Sequence, residues 1–165
     1  MRVTADLRYD ADPQAVFEML TDKAFQDRKL ARTGALTWEV QIRRQNGGAV
    51  ILSRRTLPTD QVPDAFRALI GPQLSITQTE TWGPAEANGS RTGTIQIEVT
   101  GAPIRMQATA SLSATITQGC VEQVDGELKA RIPFIGGKVE RSAEPAVRAA
   151  LEAEQRIGRD WLAQR

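Results

Sequence analysis

The segment AALEAEQRIGRDWL, residues 149–162, carries a carboxylate where an amphipathic helix should be dry. With Val147 at zero and about 100° per residue, Ala150 falls at about −60°, Leu151 at about 40°, Gly158 at about 20° and Trp161 at about −40°. Glu154 falls at about −20° on the same wheel, inside that stripe. A carboxylate in an apolar setting can serve two ends. Loss of water raises its pKa and makes it a proton donor, or its charge orients the polar end of a mainly apolar ligand. The structural alternative is that Glu154 lies at a cavity mouth or pairs with a sheet arginine, Arg43 or Arg54, because a buried carboxylate without a partner is costly.

The stretch QLSITQTETW, residues 73–82, raises the same question, since Gln78 and Glu80 share an alternating face with Leu74, Ile76 and Trp82. They mark either the polar end of a pocket or a strand running out into solvent beyond its cover. Were Glu80 and Glu154 both to face inward, a carboxylate pair would form, an arrangement able to divide acid and base roles. Neither is assigned a catalytic role, and both stand as candidates.

Composition narrows the chemistry further. There is no histidine among the 165 residues, so Ser-His-Asp and Cys-His nucleophiles, histidine-ligated metals and imidazole proton shuttles are excluded. An enzyme would have to work with Asp, Glu, Lys, Tyr9 or Cys120 at perturbed pKa, which disfavours one. The lone Cys120 cannot form an intramolecular disulfide or a multi-cysteine metal site. The formal net charge of +1 lacks the footprint that neutralising many phosphates requires, so nucleic acid is not an expected partner. No apolar run is long enough for a transmembrane helix and the first residues do not read as a leader, so a cytoplasmic protein without cofactor or metal is expected. The length suits one domain over 1–165.

The elements that must position these residues follow from periodicity. Residues 2–9 alternate as a half-buried strand, and Asp12 with Pro13 opens a helix. A second short helix, DKAFQDRKLAR, is capped by Thr21 or Asp22 and ended by Gly34. Period two then begins with Leu36, Trp38, Val40 and Ile42, turns at Asn46-Gly47-Gly48 and returns through AVILSRRTL. Arg43, Arg44, Arg54 and Arg55 flank that turn, as a basic corner for an anionic headgroup or as a solvated surface. Residues 58–71 read as a loop holding a turn or two of helix, whose Phe66 and Leu69 could cover a cavity mouth. Four further strands follow, one with Ile95, Ile97 and Val99 alternating, and one with Ile104, Met106, Ala108, Ala110, Leu112, Ala114 and Ile116 on its dry face. A last strand places Val124, Leu128, Ala130 and Ile132 on one side.

A sheet with one dry face needs a cover, and only the segment from about Gly137 to Leu162 is long enough. Pro145 within it predicts a kink or a fresh helix start. Where helix and sheet meet, small residues face small residues: Ala108, Ala110 and Ala114 against Ala143, Ala146, Ala150 and Gly158. Either a pocket remains between the two layers, or the helix simply sits close.

The order of strand, two short helices, six antiparallel strands and a long terminal helix resembles the START-like, or SRPBCC, helix-grip superfamily. Within it, GELKARIPFIGGKVERS, residues 126–142, resembles the strand end, Gly-Gly turn and helix start of a bacterial family known as a domain of unknown function. The resemblance implies an α+β fold, with a curved seven-stranded antiparallel sheet wrapped around the C-terminal helix, and a cavity for apolar or amphipathic molecules, lipid-like or polyketide-like. It carries no catalytic residue to this chain. The walls expected on these grounds are Trp38, Val40, Ile76, Gln78, Ile97, Met106, Ala108, Ala110, Leu112 and Leu128 from the sheet. Phe66 and Leu69 come from the covering segment, and Val147, Ala150, Leu151, Glu154 and Trp161 from the helix. The leading function is small-molecule binding or transport. The alternatives are a cyclase- or dehydratase-like enzyme using Glu154 or Glu80, and a protein-interaction module with a filled core. Ligand, pathway and oligomeric state are not legible.

Overall fold

A computed structural model describes residues 1–60 and 62–165. The chain runs β1 (Arg2–Tyr9), α1 (Pro13–Leu20), α2 (Lys23–Arg32), β2 (Thr37–Gln45), β3 (Gly48–Pro58), α3 (Asp64–Ile70), β4 (Gln73–Trp82), β5 (Arg91–Val99), β6 (Ile104–Ala114), β7 (Cys120–Ala130) and α4 (Gly136–Ala163). The strands form one antiparallel seven-stranded sheet in the order β1-β7-β6-β5-β4-β3-β2, so the first strand pairs with the last and the remainder are neighbours in sequence. This is the helix-grip architecture, with α4 lying on the sheet.

Local chemistry sets the element ends. Asp12 accepts from the Ala15 amide at 2.7 Å with Pro13 in the first helical position. Asp22, not Thr21, caps α2 by accepting from the Ala24 amide at 2.8 Å. Thr21 instead closes α1, its hydroxyl donating to the Phe17 carbonyl. Asn46 and Gly47 turn the β2–β3 hairpin with φ of 51° and 75°.

Register aligns the inner face in rows across the strands. One row runs Ile51, Glu80, Ile95, Ala108, Gly126, Val3, and the next runs Val40, Ser53, Gln78, Ile97, Met106, Leu128. Helix α4 passes through Pro145 as one element, so no fresh start occurs there. It packs on β1, β7, α1 and α2. Its second half is dense. Ala153, Ile157, Gly158 and Trp161 are buried, the Trp161 ring meets Phe25 edge-on at 5.6 Å, and a Cβ on Gly158 would stand 2.7 Å from the Tyr9 ring.

Candidate functional site

An apolar cavity of about 290 Å³ opens where the ends of β3 to β7 meet α3 and the first half of α4. Leu57, Leu74, Val99, Ile104 and Leu128 form its sheet wall, Phe66 and Leu69 its cover, and Val139, Ala143 and Ala146 its helix wall. Hollows on the outer face of the twisted sheet are larger, up to about 770 Å³, but they are open troughs lined by Thr92, Thr94, Thr109, Ser111 and Asp125.

Helix α4 shows that the interior is not filled here. Its buried residues, Val139, Ala153, Ile157, Gly158 and Trp161, define the inward stripe, and Ala146 and Ala150 lie within it by their helical angle, yet both are exposed. They are accessible because the space they face is open. Ala146, Ala150 and Glu154 form one i, i+4 row, leading from the cavity wall to a carboxylate.

That carboxylate belongs to a buried cluster of charges. Lys29, brought in on α2 with its side chain 8% exposed, sets Nζ 3.4 Å from Glu154 Oε2 and 3.8 Å from Glu80 Oε1. Among the described residues its Nζ finds no short, well-aligned hydrogen bond, the approach to Glu154 being a long one. Gln78 donates from Nε2 to Glu80 Oε1 at 2.7 Å and accepts from Arg55 at 3.2 Å. On the neighbouring β1–β7 pair, the Tyr9 hydroxyl donates to Glu122 Oε2 at 3.4 Å.

Burial pushes the Glu122 carboxyl well above its ordinary range, and the facing charges of Glu154 and Glu80 push it further. Burial also raises Glu154, with Lys29 pulling against it. For Lys29, burial alone would lower the pKa, but Glu154, Glu80 and Glu122 together outweigh it and the ammonium is held above its usual value. Burial carries the Tyr9 phenol well above 10.0 and the Cys120 thiol up to about 11, so neither is an activated nucleophile. Burial lowers Arg55 despite the carboxylates it faces.

The sequence-predicted wall residues divide into groups. Phe66, Leu69 and Leu128 line the cavity, Leu69 being 51% exposed at its rim. Ile76, Gln78 and Ile97 lie half-buried on the inner face just beyond it. Val40, Met106, Ala108, Ala110 and Leu112 are packed core, as is Trp161. Val147 and Leu151 are half-buried against that core, Leu151 beside β1. Trp38 departs from expectation: it stands at the β2 edge, 39% exposed, and its indole N–H goes to Asp27 on α2.

The charged residues depart further from expectation. Glu154 pairs with neither Arg43 nor Arg54, which strand alternation turns to the exposed face, but with Lys29. Gln78 and Glu80 do not run out into solvent, since Glu80 is 4% exposed in mid-sheet. The four arginines around the hairpin do not make one corner: Arg44 pairs with Glu18, while Arg55 turns inward. Sequence pattern does not single out Lys29, Glu122 or Arg55 for the site. Glu122 and Arg55 are findable, because each shares alternation parity with residues that read as inward. Lys29 is not, because only the folding of α2 onto α4 brings it there.

The sequence profile of DUF2505, a protein family of unknown function, matches residues 4–162. The chain belongs to the DUF2505 family. A Mycobacterium tuberculosis protein, described as uncharacterized, is 29% identical to this DUF2505 chain over 118 residues, covering 71% of this chain and 67% of its own. Among crystal structures, one from Thermus thermophilus matches with a TM-score of 0.63 at 15% identity, over 99% of this DUF2505 chain and 98% of that one. The human StarD13 lipid transfer and protein localization domain matches with a TM-score of 0.61 at 11% identity, over 96% and 76%. Likeness at such identity speaks for the START-like fold of this DUF2505 protein, not for its chemistry. No helix among its described residues is long and apolar enough to cross a membrane.

Proposed function

We propose that this chain is a single-domain binding protein for an apolar or amphipathic small molecule, held between the sheet and α4 with α3 over the opening. The observation that carries this is the exposure of Ala146, which lines the apolar cavity, and of Ala150 one turn further along the inward stripe of α4. A helix that had simply closed onto the sheet would bury both, as interiors otherwise pack to full density. The StarD13 relative, described as a lipid transfer domain, supports the ligand class by analogy of fold alone. The free, buried Cys120 suits a reducing compartment, and a cytoplasmic setting belongs to the same proposal.

Native mass spectrometry of gently purified protein, followed by extraction of what it carries, tests this reading. A reproducible bound mass is expected, and Ala146→Phe should remove it without unfolding the protein. A clean mass, together with no rise in Tm across a lipid and aromatic panel, would sink the proposal in favour of a filled interaction module. A second reading, an enzyme of the cyclase or dehydratase kind, draws support from the raised carboxyl pKa of Glu154. Glu154→Gln separates the two: turnover collapses in an enzyme, whereas a carrier keeps most of its affinity.

A further inference from the structure

We propose that the buried charged cluster beyond the inner end of this cavity receives a neutral oxygen acceptor, the carbonyl of an otherwise apolar ketone, on the Lys29 ammonium, and discriminates against carboxylates. This rests on the binding reading above and names the chemical class that the site prefers.

Charge and hydrogen bonding are mismatched at one atom. Lys29 Nζ stands within 3.4 Å of Glu154 and 3.8 Å of Glu80, so its charge is answered. Its hydrogen-bonding capacity is poorly used, since an ammonium has three donors and this buried one makes only long, misaligned approaches to its carboxylates. The neighbours offer no remedy. Gln78 is committed at both ends, to Glu80 and to Arg55, and Tyr9 is committed to Glu122.

The sum of charge decides what can fill the gap. Lys29 and Arg55 are already answered by Glu80 and Glu154, and Glu122 beside them is held toward its protonated form, so a further anion would meet carboxylates at close range in a medium that screens poorly. A carbonyl oxygen accepts a charge-assisted hydrogen bond without adding charge. Nζ is covered as the side chain stands, but both ion pairs are long, and the flexible lysine stem can turn toward an incoming oxygen.

The approach is also graded in polarity. On α4 the row Ala146, Ala150, Glu154 goes from apolar wall to carboxylate at one turn per step. On the sheet, Leu74, Ile76, Gln78 and Glu80 make the same passage on β4, and Leu57 is followed on its face by Arg55. An apolar body with a single carbonyl at its end matches that gradient.

Three probes of one shape provide the test: naphthalene, 2-acetylnaphthalene and 2-naphthoate, titrated into the protein at neutral pH. The ketone is expected to bind about tenfold tighter than naphthalene, as a hydrogen bond to a charged group supplies, and the carboxylate more weakly than the ketone by at least about that factor. The carbonyl stretch of the bound ketone should move to lower frequency. In Lys29→Met combined with Glu154→Gln, which removes both charges together, the ketone should bind no better than naphthalene, the ratio of the two affinities within the variant being the readout. An unshifted carbonyl band, read in the unaltered protein, overturns the proposal whether or not the variant folds. Naphthoate binding as tightly as the ketone overturns it as well, while leaving the cavity reading intact. Failure of all three probes to bind overturns both.

Discussion

The two halves of α4 use small residues to opposite ends. Toward the C-terminus, Gly158 lets the helix approach until Tyr9 and Met19 occupy the space a Cβ would need, and Trp161 seals the contact against Phe25. Toward the N-terminus, Ala146 and Ala150 lie on the inward stripe and touch open space, because α4 leans on β1 and β7 and leaves the middle strands uncovered. A small side chain thus produces close packing only where a partner element can reach it. Where no element reaches it, the same residue type leaves a cavity.

This contrast can be broken by experiment. Trp161→Ala should cost about 3–5 kcal/mol by urea denaturation, as large aromatic deletions do in close-packed regions; a loss near zero would mean the second half of α4 is no anchor. Gly158→Val should cost about 1–3 kcal/mol, since the added branches meet the Tyr9 ring and the Met19 thioether. The same denaturation repeated across pH examines the carboxyl buried beside that anchor. The Glu122 pKa in the folded chain lies above its ordinary value of 4.5, so the folded form retains a proton that the unfolded form has released. Its contribution to stability is therefore greatest below pH 4.5 and declines as pH rises toward the folded pKa, by at most about 1.4 kcal/mol per pH unit. Glu122→Gln should flatten that part of the profile, and an unchanged slope would refute the shift. Smallest of all, Ala150→Leu should alter stability by no more than about 0.5 kcal/mol, because it grows into open space, while reducing uptake of any bound molecule. A large destabilisation there would show the first half to be as tightly packed as the second.

Much of this architecture is legible in the sequence because its signals are local. Alternation over residues 104–114 and the Asn46-Gly47 turn announce antiparallel strands, and Asp12-Pro13 announces a helix start. Glu154 is visible for the same reason, as a break in a regular pattern. The rest of the cluster is hidden to different degrees. Glu122 sits in phase with Val124 and Leu128, so alternation alone turns it inward, yet a single acid at a strand end reads as solvated. Lys29 reads as a cation in the last turn of α2, where a helix welcomes positive charge. Its real partners are 51 and 125 residues away in the chain, and only the packing of α2 against α4 brings them within reach. The choice between close packing and cavity is not legible at all, since it depends on which elements reach α4 rather than on residue size.

Pro145 lies at the border between the two halves of α4. Lacking an N–H, it leaves the carbonyl of Arg141 without its helical donor, so the backbone ladder is interrupted where tertiary contacts also thin out. The consequence concerns time rather than affinity. Segment 136–150 is expected to open without dragging the Trp161 anchor with it, at the cost of the Glu140 bonds to the Met1 amine and the Ala130 amide, so that the proposed cargo would enter or leave through an excursion cheaper than global unfolding. Hydrogen exchange should then show amides of 139–150 losing protection well before those of 153–161, and the residence time of any cargo should follow the first of these rates rather than the second.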